Sequence, residues 1–352
     1  MMRWFSLLAA LVGGSAVGNT SEPEPSSDDS GDGPDATLEI YSSPRRSSLV
    51  QPKYPRRALT RNMEGWVRLD FMVDPNGKPY EIAVTESVGD DDFQKAAVRA
   101  LERSEFEPAR FNGEPLDAGY ALYYHFQIED GGGARPQFIR TYKALIAAID
   151  SGDRDGADER LRRLDSDTVL NLYEDAYLHV AKYSYHAKWG DEPQQLEALD
   201  RAVGHDTAEE RLPEMLYVSL QRARFALLVS ARDYHRALET YETLAQYELE
   251  EPVLAALETM VDRLERLRAD DRAYSVPGDF GDLFSWSYSL FKDEFLFQDV
   301  DGEIEEIKLR CAKKYIFFRF NPDMKYTTNP DYQPCHLQLI GDPGTTFTLT
   351  QL

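Results

Sequence analysis

Cysteine is nearly absent from this chain: Cys311 and Cys335 are the only two. Such a sparse pair leaves no Cys-x-x-Cys redox motif and no cysteine-rich metal site. In an exported protein it most simply forms one disulfide. That crosslink closes a loop of about 25 residues and is expected to stabilise by roughly 3 kcal/mol on the chain-entropy model. Histidine is scarce too, with six in the chain. His179 and His186 lie two helical turns apart, too far for the i, i+4 chelation of one metal, and Cys335-His336 alone is a weak metal signal. No Gly-x-Ser-x-Gly elbow, phosphate loop or His-Glu-x-x-His helix occurs. Acidic neighbours such as Glu305-Glu306 and Glu250-Glu251 point their side chains apart, so no shared acid/base site is implied. These absences predict a protein that is not an enzyme and needs no metal and no cofactor.

Basic stripes are lacking as well. The formal charge is −23, and the excess of carboxylates is spread along the whole chain, which favours solubility and argues against nucleic acid or anionic lipid as a partner. No apolar run reaches the roughly 20 residues that a membrane-spanning helix needs. Residues 1–18 read as a signal peptide, with Arg3 as the basic start, an apolar stretch from Trp4 to Val12 and the small residues Ala16, Val17 and Gly18 at a cleavage site. The alternative is an uncleaved anchor. With no cysteine near that site, a lipoprotein anchor is not suggested. Residues 19–50 are rich in Ser, Asp, Gly and Pro and read as a disordered acidic linker. Its Asp28-Asp29-Ser30-Gly31-Asp32-Gly33 run lacks the distal glutamate of a calcium loop.

What is present is organised around residues 51–129. Val67, Leu69, Phe71 and Val73 alternate with Trp66, Arg68, Asp70 and Met72, the pattern of a strand with one apolar and one mixed face. Asp74-Pro75-Asn76-Gly77 supplies a hairpin turn into a second strand carrying Ile82 and Val84. Phe93, Ala96, Ala97, Ala100 and Leu101 form the stripe of an amphipathic helix. A third strand has Tyr120, Leu122, Tyr124, Phe126 and Ile128 inward and Ala121, Tyr123, His125 and Gln127 outward. The Tyr54-Pro55 pair with Ala58, the GWVRLDFMVDPNGK hairpin, Ser87-Val88-Gly89 and Phe106-Glu107-Pro108-Ala109 occur in an order and spacing that resembles the TonB C-terminal domain family.

The resemblance implies a periplasmic module that grips outer-membrane transporters. In that family a transporter segment docks as an added strand beside the third strand, and the residues ahead of the Tyr-Pro pair touch the partner. Carried onto this chain, the implied partner-binding residues are Gln51, Pro52 and Tyr54, then Tyr120, Ala121, Tyr123, His125 and Gln127. Tyr54 and Pro55 can equally well serve to pack the N-terminal arm on the sheet. Transducers of the family also have a long proline-rich spacer and a membrane helix ahead of the module. Here the module sits near the N-terminus on a short linker.

After Gly131-Gly132-Gly133, helical periodicity runs to about residue 272. An offset of 42 residues aligns Leu178 with Leu220, Ala181 with Ala223, Tyr185 with Leu227, Asp191 with Asp233 and Leu196 with Leu238. This predicts stacked helix pairs in a solenoid-like repeat, loosely similar to tetratricopeptide repeats around residues 233–241. Tyr173, Tyr177, Tyr183 and Tyr185 either line a peptide groove or pack as core. Residues 280–352 alternate short aromatic and β-branched runs with Asp301-Gly302, Asn321-Pro322 and Asp342-Pro343-Gly344, the pattern of a compact β sandwich or meander. The expected fold is therefore α+β and multi-domain: a TonB-like antiparallel sheet with helices at 51–130, a helical repeat at 134–272 and a β-rich domain with one disulfide at 280–352. The expected role is binding of an envelope protein in the Gram-negative periplasm, in association with transmembrane transport. The alternative is a protein-interaction scaffold with no part in energy transduction.

Overall fold

The computed structural model describes residues 41–128, 133–166, 170–204 and 207–352. The signal-peptide reading, the acidic run at 28–33 and the triple glycine, apart from Gly133, fall outside them. The chain first makes two short strands, β1 (Tyr41–Ser42) and β2 (Arg45–Ser48), then helix α1 (Arg56–Thr60). Composition assigns residues 41–48 to the linker; instead 41–42 and 45–48 are strands. Every side chain of β2 is exposed, so its order rests on main-chain pairing rather than on the apolar burial that composition measures.

The hairpin of β3 (Gly65–Val73) and β4 (Pro79–Val88) follows as the alternation and turn chemistry require. Gly77 sits at φ 82° and donates its N–H to the Asp74 carbonyl at 2.9 Å. A Cβ there would lie 2.0 Å from the Phe106 carbonyl oxygen, so only glycine fits both the dihedral and the space. Helix α2 (Asp91–Leu101) is capped by Asp90, whose carboxylate accepts the Asp92 N–H. Its buried residues are Phe93, Ala96, Ala97, Ala100 and Leu101, the anticipated stripe. Three-residue strands β5 (Glu105–Glu107), β6 (Ala109–Phe111) and β7 (Glu114–Leu116) lead to β8 (Ala118–Phe126). The main sheet has the order β4-β3-β8 and is antiparallel throughout; β5 pairs with β2, and β6 lies between β1 and β7. Val67, Leu69, Phe71 and Val73 pack on Phe93, Ala97 and Leu101 as one core.

Among the described residues, seven α-helices follow: α3 (Pro136–Ser151), α4 (Arg154–Asp165), α5 (Leu172–Trp189), α6 (Glu192–Val203), α7 (Glu214–Ser230), α8 (Tyr234–Leu244) and α9 (Glu251–Ala269). Asn171 with Glu174 and Asp191 with Gln194 form reciprocal capping boxes that start α5 and α6. The 42-residue offset carries Leu172, where α5 begins, to Glu214, where α7 begins, and Glu192 of α6 to Tyr234 of α8.

The remaining strands are β9 (Tyr274–Asp279), β10 (Ser285–Leu290), β11 (Glu294–Asp301), β12 (Ile304–Cys311), β13 (Tyr315–Arg319), β14 (Tyr326–Thr327), β15 (Cys335–Gly341) and β16 (Thr346–Gln351). They form two four-stranded sheets, β10-β15-β12-β13 and β14-β11-β16-β9. Of the two architectures expected, this two-sheet arrangement is not a meander, because sequence neighbours β10 and β11 go to different sheets. Leu337 and Leu309 of one sheet and Phe295 and Leu349 of the other share a core with Leu228, Leu244, Leu257 and Leu264 of the helices. The described residues make one compact unit.

Cys311 and Cys335 stand directly opposite each other on β12 and β15 and form a disulfide, with Cα atoms 4.0 Å apart. Replacing both with alanine is expected to lower stability by about 3 kcal/mol through the freed loop. Urea unfolding measures it, and reduction of the unaltered chain should reproduce the loss.

Candidate partner-binding site

The implied site has two parts, the arm before α1 and the strand β8. Tyr54 lies edge-on to Phe93 and Phe126, with ring centroids 5.6 and 5.7 Å away, and its hydroxyl donates to the Met63 carbonyl at 2.5 Å. Burial, reinforced by the Glu64 carboxylate, pushes its phenol up to about 12. Tyr54 thus fastens the arm to the sheet. Further up the arm, the Val50 N–H donates to Ser104 Oγ (3.0 Å) and the Val50 carbonyl accepts from the Tyr124 hydroxyl (3.0 Å). Gln51 is exposed and Pro52 half-buried.

β8 is an edge strand of its sheet. The Asp74 N–H reaches the Lys78 carbonyl at 2.9 Å, so alternate residues of β3 direct their main chain toward β4, and those between, including Leu69 and Phe71, toward β8. Leu69 opposes Leu122 and Phe71 opposes Tyr120. The main chain of Ala121, Tyr123 and His125 is therefore directed away from β3, toward the sheet's outer edge. Among the described residues, no strand pairs with β8 on that side. Ala121 and Gln127 are exposed, whereas Tyr120 packs against Phe71 and Phe106 with centroids 5.8 and 5.7 Å apart.

On the outer face of the sheet, Tyr123 and Trp66 meet the rest of the chain, while Ala121 stays exposed. Tyr123 lies 5.5 Å from Trp66 and directs its hydroxyl to the Gly204 carbonyl (3.4 Å), and its ring stacks 6.2 Å from His125. Trp66 is buried together with Leu172 of α5. Glu64, also buried, accepts the Ile128 N–H at 2.9 Å and the Leu172 N–H at 3.1 Å. One carboxylate thus joins the end of the sheet to the first turn of α5, where its charge also meets the helix dipole favourably. At the other end, a Cβ on Gly119 would stand 3.0 Å from the Cys311 carbonyl oxygen, so β12 approaches β8 closely at this point. Glu81 of β4 adopts φ 48°; its carbonyl accepts from Arg310 Nε (3.1 Å) and its carboxylate from Lys308 Nζ (3.3 Å).

The implied residues therefore divide. Ala121, Gln127 and Gln51 reach solvent, Tyr54 and Tyr120 lie against the core, and Tyr123 and His125 lie on the covered face. Reading from the sequence did not find Glu64, Glu81 or Gly204, the residues that attach the sheet to its surroundings. Its one available signal was Trp66 and Met72 on a face otherwise polar.

Residues 50–128 match the family model described as the Gram-negative bacterial TonB protein C-terminal, so the resemblance carried by the hairpin and the Tyr-Pro pair holds over this segment. The segment is similar to protein tonB2 of Pseudomonas aeruginosa, 35% identical over 77 residues, which cover 22% of this chain and 28% of that protein. It is also similar to protein TonB of Vibrio cholerae, 29% identical over 83 residues, covering 24% of this chain and 34% of that one. The chain spans about a third of the length of the curated relatives it matches. Among solved structures, the solution NMR structure of the Pseudomonas aeruginosa TonB CTD is 29% identical, with a TM-score of 0.23, over 27% of this chain and 92% of that one.

Two predictions follow from the covered face. Glu64→Ala would leave two buried N–H groups without an acceptor, at about 1–3 kcal/mol each, and urea unfolding should show a loss of that order. Burial lowers the imidazole of His336 on β15, which faces Asp70, Arg68, His235 and Glu239, and likewise that of His179 in α5. Because the folded state disfavours the charged form, stability is complete above the ordinary value of 6.5 and is lost as pH falls below it. Melting temperature is expected to decline between about pH 7 and pH 5, and less steeply in His336→Gln.

Proposed function

We propose that this is a TonB-family protein of the Gram-negative cell envelope, acting in the periplasm, in which residues 50–128 bind an extended segment of an outer-membrane transporter or another envelope protein. The segment adds to β8 as a fourth strand, and the function is binding in association with transmembrane transport rather than catalysis. The observation that carries this reading is that a segment matching the TonB C-terminal model presents β8 as an edge strand, exposed at Ala121. An added strand gains affinity from main-chain hydrogen bonds and specificity from alternate side chains. Gln51 and Pro52 on the arm and Gln127 at the strand end would touch the partner's flanks. Tyr120 and Tyr54 would act by holding the strand and arm in place, and Tyr123 and His125 would offer their main chain.

A second reading is a periplasmic scaffold with no energy-transducing role. It is favoured by the contacts on the outer face of the sheet and by the described residues from 133 onward, which lie beyond the matched segment and build a larger body around it. In that reading the helix pairs α5–α6 and α7–α8 form a short solenoid that holds a further protein. Among the described residues, no helix is long and apolar enough to cross a membrane.

The edge decides between them. Ala121→Pro removes one outward N–H without touching the core, and should weaken capture of TonB-box peptides at least about tenfold while leaving the melting temperature near that of the unaltered chain. Ala121→Val should retain capture. Binding that survives Ala121→Pro undiminished would overturn strand addition and leave the scaffold.

A further inference from the structure

A cavity of about 570 Å³ lies where the outer face of the TonB-like sheet, helices α7 and α8 and the sheet of β10, β12 and β15 converge. Its size falls in the range of small-molecule sites, about 300–1,000 Å³. Its walls are strongly charged, and the charges are unevenly matched. Four arginines line it. Arg68 contacts Asp70 at 3.1 Å, and Arg224 and Arg236 both contact Asp200, at 2.8 and 2.5 Å.

Arg310 differs from these three. It is 7% exposed, yet its Nε donates to the Glu81 carbonyl (3.1 Å) and one terminal nitrogen donates to Gln338 Oε1 (2.9 Å), both neutral acceptors. No carboxylate forms an ion pair with it among the described residues. The strand register sets Arg310 opposite His336 and His336 opposite Ser289, so one polar row crosses three strands at the cavity wall. Burial of a guanidinium without a carboxylate in direct contact is unfavourable, and burial lowers its proton affinity below the usual arginine range despite the attraction of the Glu81 and Asp70 charges nearby. A chain selected for stability alone would place an apolar residue or a carboxylate here.

Across the cavity the mismatch has the opposite sign. Gln221 of α7 is 3% exposed; its amide nitrogen donates to the Val203 carbonyl and to the Tyr217 hydroxyl, both at 2.8 Å, while its Oε1 accepts nothing. Asp233, at the start of α8, receives Arg236 on one oxygen at 3.3 Å, and its Oδ1 accepts nothing. Buried acceptors of this kind lose their hydration and regain it only when a donor arrives.

We propose that this cavity is a binding site for a small zwitterion of the short-peptide class, its carboxylate on Arg310 and its ammonium on Asp233 Oδ1. Tyr123 of β8 lines the cavity, but the contacts proposed for the ligand do not involve the β8 main chain and do not depend on strand addition. A ligand with both free termini satisfies Arg310 and Asp233 at once, which neither an anion nor a cation does.

The probe is trialanine with free termini, titrated calorimetrically into the full chain beside N-acetyl-trialanine and trialanine amide. Trialanine is expected to bind and to raise the melting temperature, and blocking either terminus should weaken binding at least tenfold. In Arg310→Met, trialanine and its amide should bind alike, because the preference for a free carboxylate is lost, while the preference for a free amine persists. Absence of binding by trialanine, or equal binding of all three peptides by the unaltered chain, would overturn the proposal. So would an Arg310→Met chain that still prefers the free carboxylate. The three-peptide comparison uses the unaltered chain and decides the matter even where the variant does not fold.

Discussion

A three-stranded sheet has two faces, and this one covers both. The inner face of β3 is closed by α2, as the local pattern requires. The outer face bears Trp66, Arg68, Asp70 and Met72, an arrangement that leaves large apolar surface beside charge. Trp66 is closed by Leu172, and Glu64 ties the sheet's end to α5 through two main-chain hydrogen bonds. Much of the remaining architecture follows from this covering. Helix α5 must begin where Glu64 can reach Leu172, and the β region must approach where Gly119 leaves room for the Cys311 carbonyl.

The charged residues that cannot be covered by apolar surface are handled by pairing. Arg135 clamps Glu174, whose side chain is fully buried, through contacts of 2.7 and 2.9 Å, and the same carboxylate closes the capping box of α5. Asp200 sits between Arg224 and Arg236, and although burial works against it, the two guanidinium groups hold its carboxyl below the usual range. Such networks are costly to break and add specificity of packing more than net stability. Against that background, a buried arginine with only neutral partners stands out, and the chemistry of the cavity follows from it.

The covering also shapes what the module can bind. With Trp66 and Tyr123 of its outer face engaged by the rest of the chain, the sheet offers a protein partner chiefly its edge. Side chains on the edge strand therefore have unequal roles: those such as Tyr123 help to hold the molecule together, while Ala121 meets solvent. A module of this kind set within a larger body is also held in a fixed orientation by contacts on two sides.

Local patterns carried the sheet and its helix. Period-two alternation in residues 67–73, the Asp-Pro-Asn-Gly turn and the Phe93–Leu101 stripe each act over a few residues, and each is realised in the structure. Strands β5 to β7 have three residues apiece, too few for a period to register. β9 was hidden because Pro277 and Gly278 interrupt its run. The cystine pairing was legible because only one pairing exists. Arg310 was not, since alternate polar residues on β12 read as an ordinary solvated face. What the sequence by itself determined is the identity of the elements and the TonB-like segment, because hydrogen-bonded turns and apolar periods are properties of neighbours along the chain. Only the tertiary structure decided which face is covered and which arginine has no carboxylate in direct contact, because those depend on residues more than a hundred positions apart being brought together.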